Sequence, residues 1–89
     1  MNKWQLLVTF MGKAKDDPRI SAAHVSLYCA LLHLLVENPL CVFSKDVMPF
    51  CKISGAATYH KCIRELDEYG YIKYVPSFNH FLGSLVYII

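Results

Sequence analysis

The segment from Ser21 to Glu37 constrains the fold more than any other part of the chain. Its composition predicts one helix, which Ser21 caps at its start and Pro39 stops beyond its end. Apolar residues fall on almost every side of this helix. A helix of that kind needs cover on several sides, so other elements must pack around it. We expect the first helix to cover part of it and a second copy of the chain to cover the rest.

Apolar spacing predicts a short helix at residues 3–13, before this segment. Its expected buried face falls at i, i+3, i+4 and i+7 and consists of Trp4, Leu7, Val8 and Met11. The pattern leaves two roles open for this helix, a dimerisation element or a lid on the second helix. Burial of Trp4 is favoured under either role, because an exposed indole leaves much apolar surface in water.

The rest of the chain predicts a strand, two helices and a hairpin. Residues 41–43 form a very short strand, and Ser44 caps a third helix. A tight turn at 52–55 leads to a fourth helix, 56–69, which Gly70 ends. Two further strands, 71–75 and 84–89, enclose a turn-like stretch. The last strand lies in an apolar run, and the sequence leaves open whether the natural chain continues past Ile89.

This order predicts an α+β fold, mostly α, of the winged helix-turn-helix kind. Two helices joined by a short turn form the helix-turn-helix, and the following hairpin forms the wing. We expect one domain over 1–89, with an N-terminal helix and linker (1–20), a helical core (21–70) and a wing hairpin (71–89). Such a domain binds double-stranded DNA by placing its second motif helix, here 56–69, in the major groove.

The candidate DNA contacts are the polar and cationic residues on and around helix 56–69. Serine, threonine and histidine hydrogen-bond bases or phosphates, whereas lysine and arginine pair with phosphate or the guanine edge. The acidic residues of the helix cluster in its far half, which leaves the first half for DNA. The predicted contacts are Lys45, Lys52, Ser54, Ala56, Thr58, His60, Lys61, Arg64, Lys73, Asn79 and His80.

Charge and composition limit the other classes. A net charge of +2 permits a polyanionic partner without requiring one. Neither paired carboxylates in a plausible pocket, nor a phosphate-binding loop, nor a catalytic triad is evident, so we expect no enzyme, no cofactor and no small-molecule substrate. No apolar run is long enough to span a bilayer. We expect a cytoplasmic protein without a membrane partner, and four reduced cysteines.

Several pairs of residues allow a second interpretation. Cys29 and His33 have the i, i+4 spacing of a helical metal pair, but the sequence offers no further ligand, so core packing is favoured and no metal is expected. Tyr59 and Tyr69 are expected to pack in the core rather than stack on bases. The aromatic residues at 78–81 could touch the minor groove or a partner, or fold back on the hairpin, and the sequence does not decide between these.

Nearly the whole chain, from the short first helix onward, resembles a known family. The residues Ala57–Leu66, Tyr69–Tyr74 and Pro76–Asn79, with Gly83-Ser84 and His24–Tyr28, resemble small winged-helix proteins carried on bacterial mobile elements. The resemblance implies a DNA-binding regulator of transcription or element mobility, often dimeric. Gly55-Ala56 and Leu82 depart from the family pattern, which has Ser-Lys and Lys there, so two phosphate donors are missing.

The alternative function is a protein–protein interaction module built on the same fold. The low net charge and the missing lysine at position 82 favour it. The two functions differ in salt dependence, because binding to DNA phosphates weakens steeply with added salt.

Overall fold

The structure is a computed structural model and describes residues 2–79 and 81–89. It contains four helices and three short strands, in the order helix, helix, strand, helix, helix, strand, strand. The helices are α1 (Lys3–Ala14), α2 (Ala22–Leu34), α3 (Ser44–Cys51) and α4 (Ala56–Glu68), and the strands are β1 (Leu40–Val42), β2 (Ile72–Val75) and β3 (Ser84–Ile88). The class is therefore α+β and mostly helical, as the sequence predicts.

Reciprocal side-chain caps fix where the first two helices begin. The Asn2 side chain accepts a hydrogen bond from the Gln5 N–H, while the Gln5 side chain accepts from the Asn2 N–H. At α2, Ser21 and His24 form the same reciprocal arrangement. Each pair satisfies donors that a helix start otherwise leaves without partners. The prediction that Ser21 caps α2 is confirmed.

Two predicted helix boundaries are wrong. Helix α2 ends at Leu34, not near Glu37, because Leu35 already has extended backbone with ψ of 116°. Residues that precede a proline avoid helical backbone, and the segment 35–39 turns before β1. Ser44 does not cap α3. It is the first helical residue, the cap position belongs to Phe43, and no side chain supplies the capping bond.

Strand β3 lies in the middle of a three-stranded antiparallel sheet. It pairs with β2 as a hairpin and with β1 on its other edge, in the order β1-β3-β2. Asn38 extends the β1 edge, because its side-chain amide donates to the Ile88 carbonyl and its side-chain oxygen accepts from the Ile88 N–H. The sequence predicts the hairpin, but not the partner of β1.

The core lies between α2 and the elements packed around it. Helices α1, α3 and α4 all pack on α2, and α4 also packs on β2. The Ser26 hydroxyl on α2 donates to the Cys51 carbonyl, which joins α2 to the end of α3. The fully buried side chains include Leu27, Tyr28, Leu31, Val47, Tyr59, Ile63, Leu66, Ile72 and Val86. The prediction that α2 needs cover on several sides is confirmed.

The predicted buried face of α1 is wrong. Phe10 and Ala14 are buried, and Phe10 stacks on Tyr28 of α2 with a ring separation of 3.8 Å. Trp4, Val8 and Met11 are exposed. Both faces of α1 carry apolar residues, so spacing alone could not choose between them. The flat stacking partner that Tyr28 offers favours the face that contains Phe10.

Two further observations concern the lengths of the helices and the state of the cysteines. Among the described residues, no helix combines the length and the apolar character that a membrane crossing needs. All four cysteines are free thiols; Cys51 and Cys62 are buried, whereas Cys29 and Cys41 are exposed.

Candidate nucleic-acid interface

A turn at residues 52–55 sets the angle between α3 and α4. Lys52 ends α3 in the left-handed conformation, with φ of 60° and ψ of 27°, and its N–H donates to the Met48 carbonyl. A side chain with a Cβ atom is strained in this region, which glycine occupies freely. Ile53 is buried and anchors the turn, while Ser54 and Gly55 are exposed. The turn therefore holds Lys52 and Ser54 on the surface, just before α4.

Helix α4 separates a buried face from a cationic one. Tyr59, Cys62, Ile63 and Leu66 are buried against the rest of the domain. The opposite face carries Thr58, Lys61 and Arg64 at helical spacing, all exposed. Ala56 is also exposed, at the start of the helix, where the Gly55 cap supplies no side-chain bond. The first-turn N–H groups of α4 thus lie beside exposed cations, an arrangement suited to an anion.

A groove of about 400 Å³ runs between α4 and the β2–β3 loop. Lys45 from the first turn of α3, His60 from α4 and Asn79 from the loop all line it, and Tyr59 and Tyr74 are among its other lining residues. A second depression, lined by Lys45, Lys52 and Ser54 among others, adjoins it. Lys45 belongs to both, so the two cavities form one surface across the turn and the start of α4.

His60 lines this groove, and one hydrogen bond fixes the tautomer of its neutral ring. Its Nδ1 lies 2.8 Å from the Ala56 carbonyl, which can only accept, so Nδ1 carries the proton. Neutral His60 therefore has an acceptor at Nε2, and the protonated ring has a donor there. The sequence predicts His60 as a contact residue, and its place in the groove is compatible with that role.

The loop between β2 and β3 is held by its own hydrogen bonds. Ser77 N–H donates to the Ser84 hydroxyl across the base of the loop, and Asn79 N–H donates to the Ser77 hydroxyl. The side-chain oxygen of Asn79 accepts from the Phe81 N–H at 3.0 Å. The side-chain oxygen of Asn79 is therefore used in a hydrogen bond within the loop, and its amide NH₂ is the group suited to hydrogen-bond another molecule. His80, another predicted contact, lies outside the described residues.

The aromatic residues of this loop are exposed to different degrees. Phe78 is 99% exposed and Phe81 is 78% exposed, and Leu82 is also exposed. The alternative in which the aromatic residues fold back on the hairpin does not hold for Phe78.

Lys73 is not brought together with the other predicted contacts. It is exposed on β2, between Ile72, which is buried, and Tyr74, which lines the groove beside α4. Successive residues of a strand point to opposite faces, so Lys73 lies on the sheet face away from α4. Its ammonium lies 5.7 Å from the ring centre of Tyr87 on β3.

Glu65 is a residue whose role the sequence analysis missed. It was expected on the exposed side of α4, but one of its carboxylate oxygens lies 3.1 Å from Nε2 of the buried His24. The other accepts a hydrogen bond from the Tyr69 hydroxyl at 3.0 Å. These two bonds, that from Tyr69 first, hold the pKa of Glu65 below its usual value. The carboxylate is thereby engaged by His24 and Tyr69, and it remains within electrostatic range of Lys61 one turn earlier.

His24, Cys62 and Glu65 also form the one metal-type group found among the described residues. Their ligand atoms lie within 4.8 Å of one another. The hydrogen bonds do not fit a metal site. The Ser21 N–H donates to Nδ1 of His24 at 2.9 Å, so in the neutral ring the proton sits on Nε2, where it donates to Glu65. Burial also raises the pKa of the Cys62 thiol, which disfavours the thiolate that a metal needs.

The expectation of core packing for Cys29 and His33 is wrong. Both are exposed on α2, on the strip that no other helix covers, and the His33 ring lies 4.8 Å from that of Phe50. The two residues belong to no group of three or more metal-type ligands in the described part of the chain. Tyr59 is buried, as expected, whereas Tyr69 is half-buried and bonded to Glu65.

The exposed cations around α4 form no ion pair in the part of the chain that the structure describes, although the charge of Lys61 acts on Glu65 one turn further along. Among residues 2–79 and 81–89, ion pairs join Lys15 to Asp16 and Arg19 to Asp17, and a close contact joins His24 to Glu65. None of them involves the four exposed cations near α4, which are Lys45, Lys52, Lys61 and Arg64.

Comparison of this chain with protein-family models, with curated proteins and with solved structures finds no match. The function of this surface is therefore argued from its own residues.

Proposed function

We propose that this chain is a winged helix-turn-helix protein that binds double-stranded DNA. The support is the order of elements around one surface. Helices α3 and α4 meet at a four-residue turn, and a β-hairpin follows α4 directly. Helix α4 is thirteen residues long and projects a polar, cationic face, and a major groove admits one such helix. The β2–β3 loop then corresponds to the wing.

One observation carries the proposal: in the described part of the chain the exposed cations at and before α4 form no ion pair, whereas the Glu65 carboxylate of the same helix is hydrogen-bonded by His24 and Tyr69. A solvated helix surface usually mixes both signs of charge. Here the half of α4 nearest the turn is positive, and exposed Glu68 lies at the far end. This polarity suits a helix whose first half meets the phosphate backbone.

The proposed roles follow from side-chain chemistry and position. Lys45, Lys52, Lys61 and Arg64 contact phosphates or guanine edges, and the helix start of α4 contacts a phosphate. Ser54, Thr58 and His60 lie where base edges would come within reach. Lys73 contributes only long-range charge, because it lies on the other face of β2.

The biological role that we propose follows the sequence resemblance. It is a cytoplasmic, non-catalytic regulator of transcription, or an accessory factor in the movement of a mobile element.

The test is fluorescence anisotropy of a labelled mixed-sequence duplex, titrated with the protein from low to physiological salt. We expect affinity to fall linearly with salt on a log–log scale. The double variant Lys61→Ala/Arg64→Ala should weaken binding at least tenfold and reduce the salt slope by about 2, because each lost phosphate contact removes about 0.9.

The matched control is Lys13→Ala/Lys15→Ala, which removes the same charge from the end of α1. It should change the affinity by less than about threefold, because both lysines lie at the end of α1, outside the turn and the helix proposed to contact DNA. Equal losses in both double variants would refute a specific role for α4. Absence of binding even at low salt would refute the proposal as a whole.

A second candidate function is a protein–protein module that docks through the β2–β3 loop. The observation that favours it is the loop surface, where Phe78 and Leu82 are exposed and residues 76–83 contain no lysine or arginine. Large exposed apolar residues mark interaction sites. The variant Phe78→Ser/Leu82→Ser should then abolish partner capture, and capture by the original chain should persist at high salt.

A further inference from the structure

The outward face of α1 is apolar along its whole length. Trp4 is 71% exposed, Val8 is 51% exposed and Met11 is 43% exposed. These residues lie at i, i+4 and i+7 and form one stripe, which we call the α1 stripe. The opposite side of α1 already packs on α2 through Phe10. The stripe is therefore not required for folding of the chain on itself.

The stripe is also free of charge. No charged residue occurs between Trp4 and Gly12. Lys3 and Lys13 flank this segment, and the Lys3 ammonium donates to the His33 carbonyl on α2, away from the stripe. Depletion of charge together with enrichment in tryptophan and methionine is the composition of an interface core, whereas an exposed helix face usually carries charges.

Gly12 adds an independent observation. A Cβ atom placed there would meet nothing within 4 Å, and its φ is not positive. The fold of the single chain therefore does not require glycine at this position, and glycine within a helix costs about 1 kcal/mol relative to alanine. Because Gly12 has no side chain, it leaves a notch beside the stripe, and the backbone of another element can approach closely there.

We propose that the α1 stripe is the interface of a two-fold symmetric dimer, in which α1 packs antiparallel on α1 of a second copy. The stripe is self-complementary about its centre, since Trp4 and Gly12 are equally distant from Val8. In an antiparallel pair, the Trp4 indole of each copy lies over the Gly12 notch of the other, and the two Val8 side chains meet at the axis. A two-fold interface requires this reciprocity.

The extent of the surface supports a second copy as the occupant. Helix α1 is about 18 Å long, and Trp4 alone leaves on the order of 150 Å² uncovered. A groove of about 260 Å³ adjoins the stripe between α1 and α2, with Trp4, Leu7, Cys29 and His33 among its lining residues. Counted on both copies, the surface of the α1 stripe amounts to on the order of 700 Å², which is the size of a weak, transient interface. We expect dissociation in the micromolar range.

The dimer leaves the cationic face of α4 uncovered. The stripe lies on α1 and the exposed cations lie on α4 and the turn before it, so each copy keeps its proposed DNA surface. The proposal does not depend on DNA binding, because its measurement contains no nucleic acid.

The test is sedimentation velocity from about 1 to 200 µM with the full chain. We expect a concentration-dependent dimer that Val8→Glu weakens at least tenfold, because two carboxylates would then meet at the axis. The matched control is Val36→Glu, the same change at a valine that is 93% exposed outside α1. It should leave the dimer unchanged, and circular dichroism should show both variants folded.

A mixing experiment tests the register. Val8→Glu and Val8→Lys are each expected to be monomeric, and an equimolar mixture should regain the dimer because opposite charges then meet at the axis. A monomeric original chain, or a dimer indifferent to Val8→Glu, would overturn the interface. Failure of the mixture to associate would overturn the antiparallel register.

Discussion

Nε2 of His24 at the start of α2 lies 3.1 Å from a carboxylate oxygen of Glu65 in the middle of α4. The same imidazole accepts the Ser21 N–H through Nδ1, so one ring both caps α2 and binds α4. His24 is 4% exposed, and a buried polar group of this kind is tolerated only when it is fully hydrogen-bonded. The contact joins the start of α2 to the second half of α4.

Replacement of His24 by alanine should destabilise the domain. The change leaves the Ser21 N–H without its cap and removes a donor from Glu65, so we expect a loss of about 1–3 kcal/mol in the free energy of unfolding. Urea denaturation followed by circular dichroism measures it. Tyr69→Phe, which removes only the hydroxyl bond to Glu65, should have the smaller effect, and the reverse order would contradict the central position of His24.

Lys52→Gly should stabilise the domain and weaken DNA binding at once. Glycine relieves the left-handed strain at this position, for a gain of about 1 kcal/mol, and the proposed phosphate contact is lost. Thermal unfolding and the anisotropy titration measure the two effects. The control is Lys45→Ala, which should weaken DNA binding without a gain in stability. A destabilised Lys52→Gly variant would show that the lysine side chain supports the turn in another way.

Asp17 should make the stability of the domain sensitive to acid. Its carboxylate accepts bonds from Arg19 and, at 2.8 Å, from the Tyr71 hydroxyl, and these contacts lower its pKa well below the usual value. A lowered pKa in the folded state means that the stabilisation is present above the unfolded-state pKa of about 3.9 and is lost as pH falls below it. We expect Asp17→Asn to have a lower urea midpoint at pH 6.

The two urea midpoints should approach each other between about pH 4 and pH 2, because the Asp17 carboxyl of the unfolded chain takes up a proton there while that of the folded chain stays ionised. A constant difference across this range would mean that Asp17 acts through its shape rather than its charge. Asp16→Asn is the control, since Asp16 is exposed and pairs with Lys15 at the surface; its effect should be small.

Gly83→Ala should destabilise the hairpin base. A Cβ atom there would lie 2.6 Å from the Cys41 sulfur and 2.9 Å from the Val42 carbonyl oxygen. Because the second contact is with backbone, we expect a loss of about 1–3 kcal/mol. Gly12→Ala, which adds a Cβ atom in open space, should raise helix stability by about 0.5–1 kcal/mol in dilute protein. Differential scanning calorimetry compares them, and an equally tolerated Gly83→Ala would exclude tight packing of the loop on β1.

Local patterns predicted the elements well where one side of a helix is clearly polar. Helix α4 was placed within a residue of its observed ends, because Gly55 and Gly70 enclose a segment with one apolar face. Helix α1 has apolar residues on both sides, so its buried face depends on Tyr28, a tertiary partner that periodicity does not contain.

For the candidate site, too, the sequence predicted features that depend on local spacing and missed those that depend on tertiary contacts. The exposed cations Lys61 and Arg64 were evident from spacing alone. The inward turn of Glu65 was not, because it depends on His24, which is 41 residues distant in sequence. Lys73 follows α4 closely in the chain, yet strand alternation places it on the other face of the sheet.

The central place of β3 in the sheet has a consequence for the order in which the domain assembles. Its partner β1 lies more than forty residues earlier. Closing so long a loop loses chain entropy before the contacts between the two strands form and offset that loss. Helices α1 and α2 are local and can form while the ribosome is still adding the second half of the chain. The sheet, and with it the packing of α4 on β2, is completed only after residues 84–88 have been added, so the surface with the exposed cations forms after helices α1 and α2.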